Sequence, residues 1–303
     1  MNFKKLLQLC SEAFKEWQRD RVSRLAAALA YYTVFSLAPL LSIAIAIAGA
    51  VLGEEAARGQ IVELTRGTIG QDGAEIIQTA IQNANQSQAG GLASIVSIVI
   101  LLFGASGVFA QIQEALNTVW NVRVKPGSGI KEIIRKRLLS FSMVFAIGFL
   151  LIVSLILSTL ISFLGQAASD ILPGVDFLWG LLNFVVSLIV IAVLFAIAYK
   201  YIPDVEVAWK DVTIGAIVTS ILFAIGKWVL GLYLGRSGFA SAYGAAGSIV
   251  IILAWVYYTA QILFYGAELT QVYARKYGSG IVPNRHAERV PSIDDRRSTN
   301  NEQ

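Results

Sequence analysis

The stretch SIVIILAWVYYTAQILFYGAEL, residues 248–269, is apolar for long enough to cross a bilayer as a helix, yet it carries a glutamine, three tyrosines and a glutamate. A hydrocarbon core of about 30 Å takes roughly 20 helical residues. Tyr258, Gln261, Tyr265 and Glu268 are separated by three, four and three positions, so the polar groups form a stripe along one helix face. Small residues in GAAGS, 244–248, allow a neighbouring helix to approach the outer end closely.

Working outward, five further windows have the same character: Tyr32 to Leu52, Leu92 to Gln111, Leu139 to Leu164, Leu178 to Tyr199 and Val212 to Leu234. With Ala245 to Glu268 they make six. None alternates with the period of a barrel strand, and in lipid only a helix satisfies its own backbone. Of 303 residues, 56% are hydrophobic and 15% charged, and the mean hydropathy is +0.64, too apolar for a water-soluble domain. The expected fold is an all-α membrane protein of six transmembrane helices.

The 24 Lys and Arg residues set the orientation. Six precede the first window, six lie between the second and third, two between the fourth and fifth, and six follow the last; the opposite side holds only Arg58, Arg66 and Arg236. Positive charge is retained on the cytoplasmic side, so both termini are expected there. Topology and anionic headgroups account for the net charge of +4 without a nucleic-acid partner. The amino terminus lacks a cleavable signal pattern, which leaves the first span to direct insertion. The lone Cys10 permits no internal disulfide.

The chain divides into residues 1–24, a cytoplasmic amphipathic helix; 25–278, the six-span domain; and 279–303, a polar tail expected to be disordered. Phe3, Leu7, Cys10, Phe14 and Trp17 define the apolar face of the first segment. Two placements fit it: on the inner membrane surface, or against the protein's own loops. An external loop, 53–90, is expected to hold two short helices broken near Gly70 to Gly73. Pro39, within FSLAPLL, is a candidate kink in the first span.

Other spans carry related faces. Ser94, Ser97, Gly104, Gly107, Gln111 and Glu114 align in the second, and Thr213, Ala216, Ser220, Ala224, Lys227 and Gly231 in the fifth. At 1.5 Å per residue, Glu114 and Glu268 fall about 34 Å from the outer ends of their spans, whereas Lys227 lies roughly 22 Å up from the inner end. A direct Lys227 ion pair with either glutamate is therefore not expected. The candidate polar pathway comprises Gln111, Glu114, Lys227, Tyr258, Gln261, Tyr265 and Glu268: Lys227 to attract an anionic headgroup or carboxylate, the glutamates to bind a cation or relay protons. The bland readings are helix-end solvation for the glutamates, an interhelical hydrogen bond for Gln261 and snorkelling for Lys227.

AAALAYYTVFSLAPLL (26–41), LNTVWNV (116–122) and the stretch quoted first together resemble the YihY/BrkB family of bacterial inner-membrane proteins, across approximately residues 15 to 278. The resemblance implies a six-helix inner-membrane protein with cytoplasmic ends. Members have carried ribonuclease BN and virulence labels, and export of envelope lipid precursors has been proposed. Metal-assisted RNA hydrolysis needs clustered His and Asp ligands, and the single histidine, His286, falls in the tail. No phosphate-binding Gly-Lys-Ser/Thr loop or Cys-X-X-Cys pair occurs, so no cofactor, metal or enzymatic activity is expected. The expected function is transport or export of an amphipathic anion or lipid precursor, with membrane lipids as partners; the alternative is a non-transporting scaffold for envelope proteins.

Overall fold

The computed structural model describes residues 3–86, 107–125, 161, 165, 176–236 and 247–290. The described elements are α1 (Phe3–Arg19), α2 (Val22–Leu52), α3 (Glu54–Gln86), α4 (107–119), β1 (Val122–Val124), α5 (Asp176–Tyr201), β2 (Val205–Glu206), α6 (Trp209–Arg236), α7 (Gly247–Lys276), β3 (Val282–Pro283) and β4 (Ala287–Arg289). Three helical stretches are long and apolar enough to cross a membrane: Phe177–Tyr201, Trp209–Leu230 and Ile249–Lys276. These are the expected fourth, fifth and sixth spans. The expected first span lies within α2, while residues 92–106 of the second window and all but residue 161 of the third fall outside the described residues.

α7 is the hub, packed by α1, α2, α3 and α6. Two apolar helices gain little from hydrophobicity when lipid is the alternative neighbour, so close packing has to hold them. The α6–α7 contact shows how. Gly215 and Thr219 on α6 face Thr270 and Gly266 on α7: a Cβ on Gly215 would land on the Thr270 hydroxyl, and one on Gly266 on the Thr219 hydroxyl. Each threonine returns its own hydroxyl to the carbonyl four residues earlier, Thr219 to Gly215 and Thr270 to Gly266, both at 2.7 Å. Tyr199 of α5 closes the arrangement by donating 2.8 Å to the Leu263 carbonyl beside Thr219. Higher up, the Tyr258 ring rests where Gly226 has no side chain. The fifth-span face read from sequence is thus offset by one residue from the face that meets α7.

α2 and α3 form a helical hairpin turned at Gly53, whose φ of 86° favours a residue without a Cβ. α2 stays helical through Pro39, and α3 is one continuous helix where two were expected. Gly70 and Gly73 are tolerated within it because an isolated glycine weakens a helix by only about 1 kcal/mol, and Ile77 and Ile81 anchor the later half in a cluster with Ile251 and Ile252 of α7.

The expectation of a tail disordered over 279–303 needs correction at its start, because residues 281–290 are ordered; 291–303 lie outside the described residues. β3 pairs with β2, and β4 pairs antiparallel with β1 through Val122↔Arg289, Arg123↔Glu288 and Val124↔Ala287. The segment has no apolar period because it is held by backbone ladders rather than by a buried face. Here the chain clasps the end of α4, the α5–α6 turn and the exit of α7 together. Asn117 donates 2.8 Å to Asp204 and accepts the Asp204 backbone N–H at 2.8 Å. Buried Asp211, in the first turn of α6, accepts from both the backbone N–H and the hydroxyl of Ser279 at 3.0 Å, a position the helix N-terminus also favours for an anion.

Candidate functional site

The lower half of the α7 stripe is covered by α1. Trp17 donates its indole N–H to Gln261 Oε1 at 3.1 Å, and Tyr265 donates its hydroxyl to the Cys10 carbonyl at 3.2 Å. Leu9 and Ala13 pack between them against Leu269 and Val272. The buried edge of α1 therefore runs through Leu9, Cys10, Ala13 and Trp17, while Leu7 and Phe14, expected on the same face, are exposed. Ion pairs fasten the helix further along: Arg275 to Glu16 at 3.2 Å and Lys276 to Glu12 at 2.6 Å.

Below Tyr265 lies Glu268, wholly buried, with neither carboxylate oxygen partnered by a donor. The Asp20 carboxyl faces it within hydrogen-bonding range. Asp20 occupies the turn between α1 and α2, where Arg21 takes a left-handed conformation with φ 53° and caps α2 without a side-chain hydrogen bond. A non-glycine residue there is strained, and the turn it makes brings Asp20 back under α7. Burial pushes the Asp20 carboxyl up to about 6, and the neighbouring Glu16 charge adds to this; contact with Glu268 and Arg19 opposes it. Gln271, one turn beyond Glu268, also has a buried acceptor oxygen with no donor.

The structure brings Gln261, Tyr265 and Glu268 together beneath α1 and sets Tyr258 against Gly226 of α6. It does not draw the rest of the candidate pathway into this seam. Gln111 is half-buried on α4, while Glu114 and Lys227 are exposed; among the described residues no hydrogen bond or ion pair links the three to α1 or α7. Pro39 lies in unbroken helix. Sequence reading missed Asp20 and Glu16, and placed Trp17 only on an apolar face, without its hydrogen bond to Gln261. The available signal was Asp20 itself, a lone acid among Arg19, Arg21 and Arg24. Among the described residues no group of three or more His, Cys, Asp or Glu is arranged to hold a metal.

A family described as virulence factor BrkB matches residues 13–291. A UPF0761 membrane protein of Pseudoalteromonas translucida is 30% identical over 257 residues, covering 83% of this chain and 81% of the relative. Others from Ralstonia nicotianae, 26% identical, and Psychrobacter, 27% identical, are matched over 88% and 83% of this chain. The chain spans only 59% and 46% of the lengths of those two. No solved structure matches.

Proposed function

From the premise that the chain belongs to the BrkB family of membrane proteins, we propose that it is a non-enzymatic bacterial inner-membrane transporter or exporter of an amphipathic anion, such as an envelope lipid precursor. In this reading both termini are cytoplasmic, and the α1–α7 seam is the closed cytoplasmic mouth of the pathway. The observation that carries it is the cover on the stripe. A helix able to span the bilayer turns Gln261, Tyr265 and Glu268 inward, and what shields them among the described residues is an amphipathic surface helix instead of another apolar span. Polar groups at such depth are costly unless they border a pathway or find partners, and a helix held along one edge, by the small Leu9–Ala13 cluster, two hydrogen bonds and two exposed ion pairs, detaches more readily than one buried all round. The basic residues gathered at this end supply the attraction for an anionic headgroup.

The test locks the cover. Glu12 and Lys276 touch at 2.6 Å, so Glu12→Cys with Lys276→Cys, in a Cys10→Ser background, places two thiols for a short cross-link. In vesicles of phosphatidylethanolamine and phosphatidylglycerol, flux of a fluorescent anionic lipid is expected to stop on cross-linking and to return on cleavage of the linker. Protein-dependent flux that ignores the cross-link sinks the seam as the mouth. Capture of envelope proteins with no flux from any anionic probe replaces transport with the scaffold reading.

A further inference from the structure

We propose that Asp20 and Glu268 form a proton-binding site: a carboxyl pair that holds one shared proton while α1 is docked on α7 and loses it when α1 lifts away. The inference does not depend on the transport reading, and its test measures protonation and helix docking rather than flux.

Counting donors and acceptors is the starting point. As carboxylates the two side chains are acceptors only, and no donor reaches either Glu268 oxygen or Asp20 Oδ2, all of which are buried. Gln271 adds a fourth unpartnered acceptor one turn along. The vacancy is thus for donors, and a proton on the pair supplies one: the protonated carboxyl donates to its neighbour. Two facing carboxylates with both charges present would combine desolvation with repulsion, the condition in which such pairs retain a proton.

The surrounding charges do not remove that need. Those acting on Glu268 are Asp20 and Glu16 from the α1 side and Arg275 on α7 itself; those acting on Asp20 are Glu268, Glu16 and Arg19. Glu16 already engages both arginines, Arg275 at 3.2 Å and Arg19 at 3.6 Å. Among the described residues no cation stands at ion-pair distance from the acidic pair, and α2, α3 and α6, which pack elsewhere on α7, contribute no charged group to it.

The site is also hinged. Asp20 sits in the turn, not in a spanning helix, so lifting α1 carries one carboxyl away from the other and opens both to water. Protonation and docking are linked in that way: the docked state binds the proton more tightly, so loss of the proton favours release.

The experiment uses the full chain in nanodiscs, with a spin label at Gln18→Cys in a Cys10→Ser background and infrared detection of the protonated-carboxyl C=O band. Between about pH 5 and pH 8, the wild-type band is expected to disappear while the label becomes more mobile with the same midpoint. Glu268→Gln and Asp20→Asn each remove the titrating band and keep the label immobile at every pH; Glu63→Gln, which loses only an exposed ion pair on α3, leaves the band in place. A wild-type protein with no protonated-carboxyl band at the lower pH overturns the proposal. So does a band that survives both Glu268→Gln and Asp20→Asn, or label mobility that follows sodium concentration at fixed pH. Either single variant failing to fold leaves the other to decide.

Discussion

Two acidic centres, one within the last three turns of α7 and one at its exit, are in opposite states of satisfaction. At the clasp, Asp211 receives two hydrogen bonds from Ser279, and Asp204 is met by Asn117 in both directions. At the seam, Glu268 is buried as completely as any residue in the core and receives none. Burial alone therefore does not distinguish a structural acid from a working one; the number of donors aimed at it does. A fully satisfied polar network rigidifies and specifies a fold, whereas an unsatisfied acid makes the energy of the docked state depend on protonation.

The comparison assumes that α6 fixes α7, so the harshest way to break it is at their contact. Gly266→Ala is expected to destabilise the protein by about 3 kcal/mol, because the new methyl falls on the Thr219 hydroxyl and the Tyr199 hydroxyl together. Thermal unfolding in detergent reads the loss. Gly59→Ala, within α3 and with open space around it, is expected instead to stabilise by up to about 1 kcal/mol.

Next come the two acids themselves. Asp211→Ala removes the one oxygen that accepts both Ser279 hydrogen bonds and is expected to cost about 2–3 kcal/mol. Glu268→Gln, equally buried, is expected to cost less than about 1 kcal/mol, since the carboxylate it replaces receives no hydrogen bond that would be lost. If the two substitutions have equal effects in chemical denaturation, the distinction drawn between the centres fails.

A smaller effect sharpens it. The Asp20 carboxyl titrates higher in the folded protein, at about 6, than in the unfolded chain. The folded state therefore binds the proton more tightly, and stability falls as pH rises from the ordinary aspartate range through about 6. Proteolysis in the α1–α2 turn is expected to quicken across that window, and Asp20→Asn to remove the dependence.

Much of this was legible from residue spacing. The polar stripe on α7 follows from a 3.6-residue period, and the fourth, fifth and sixth spans follow from length and hydropathy. What covers the stripe was not, because α1 meets α7 some 250 positions away in sequence, and an amphipathic pattern does not name its partner. The edge that docks, Leu9 and Ala13, was hidden by larger residues at Leu7 and Phe14 that point outward. In α6 the packing face was missed for a related reason: the glycines that let α7 approach carry no hydropathy signal. The ordered tail escaped because short ladders depend on their distant partners, β1 and β2, and not on their own composition.

The smallest expected effect falls on the outside of the clasp. Arg123 and Glu288 pair at 2.7 Å across β1 and β4, but the arginine side chain is 65% exposed and the glutamate 35%. Such a pair is screened and holds two long side chains in one geometry for a small Coulomb gain. Arg123→Gln is accordingly expected to change stability by less than about 0.5 kcal/mol. The backbone carries the joint, through the β1–β4 ladder, the Val290 N–H to the Asn121 carbonyl at 2.9 Å and the Lys125 N–H to the His286 carbonyl at 3.0 Å. A salt-dependent loss of several times that size would show that charge, not the ladder, closes the clasp; Asp204 and Asp211 would then need reading as electrostatic elements, and donor count would no longer separate this centre from the seam.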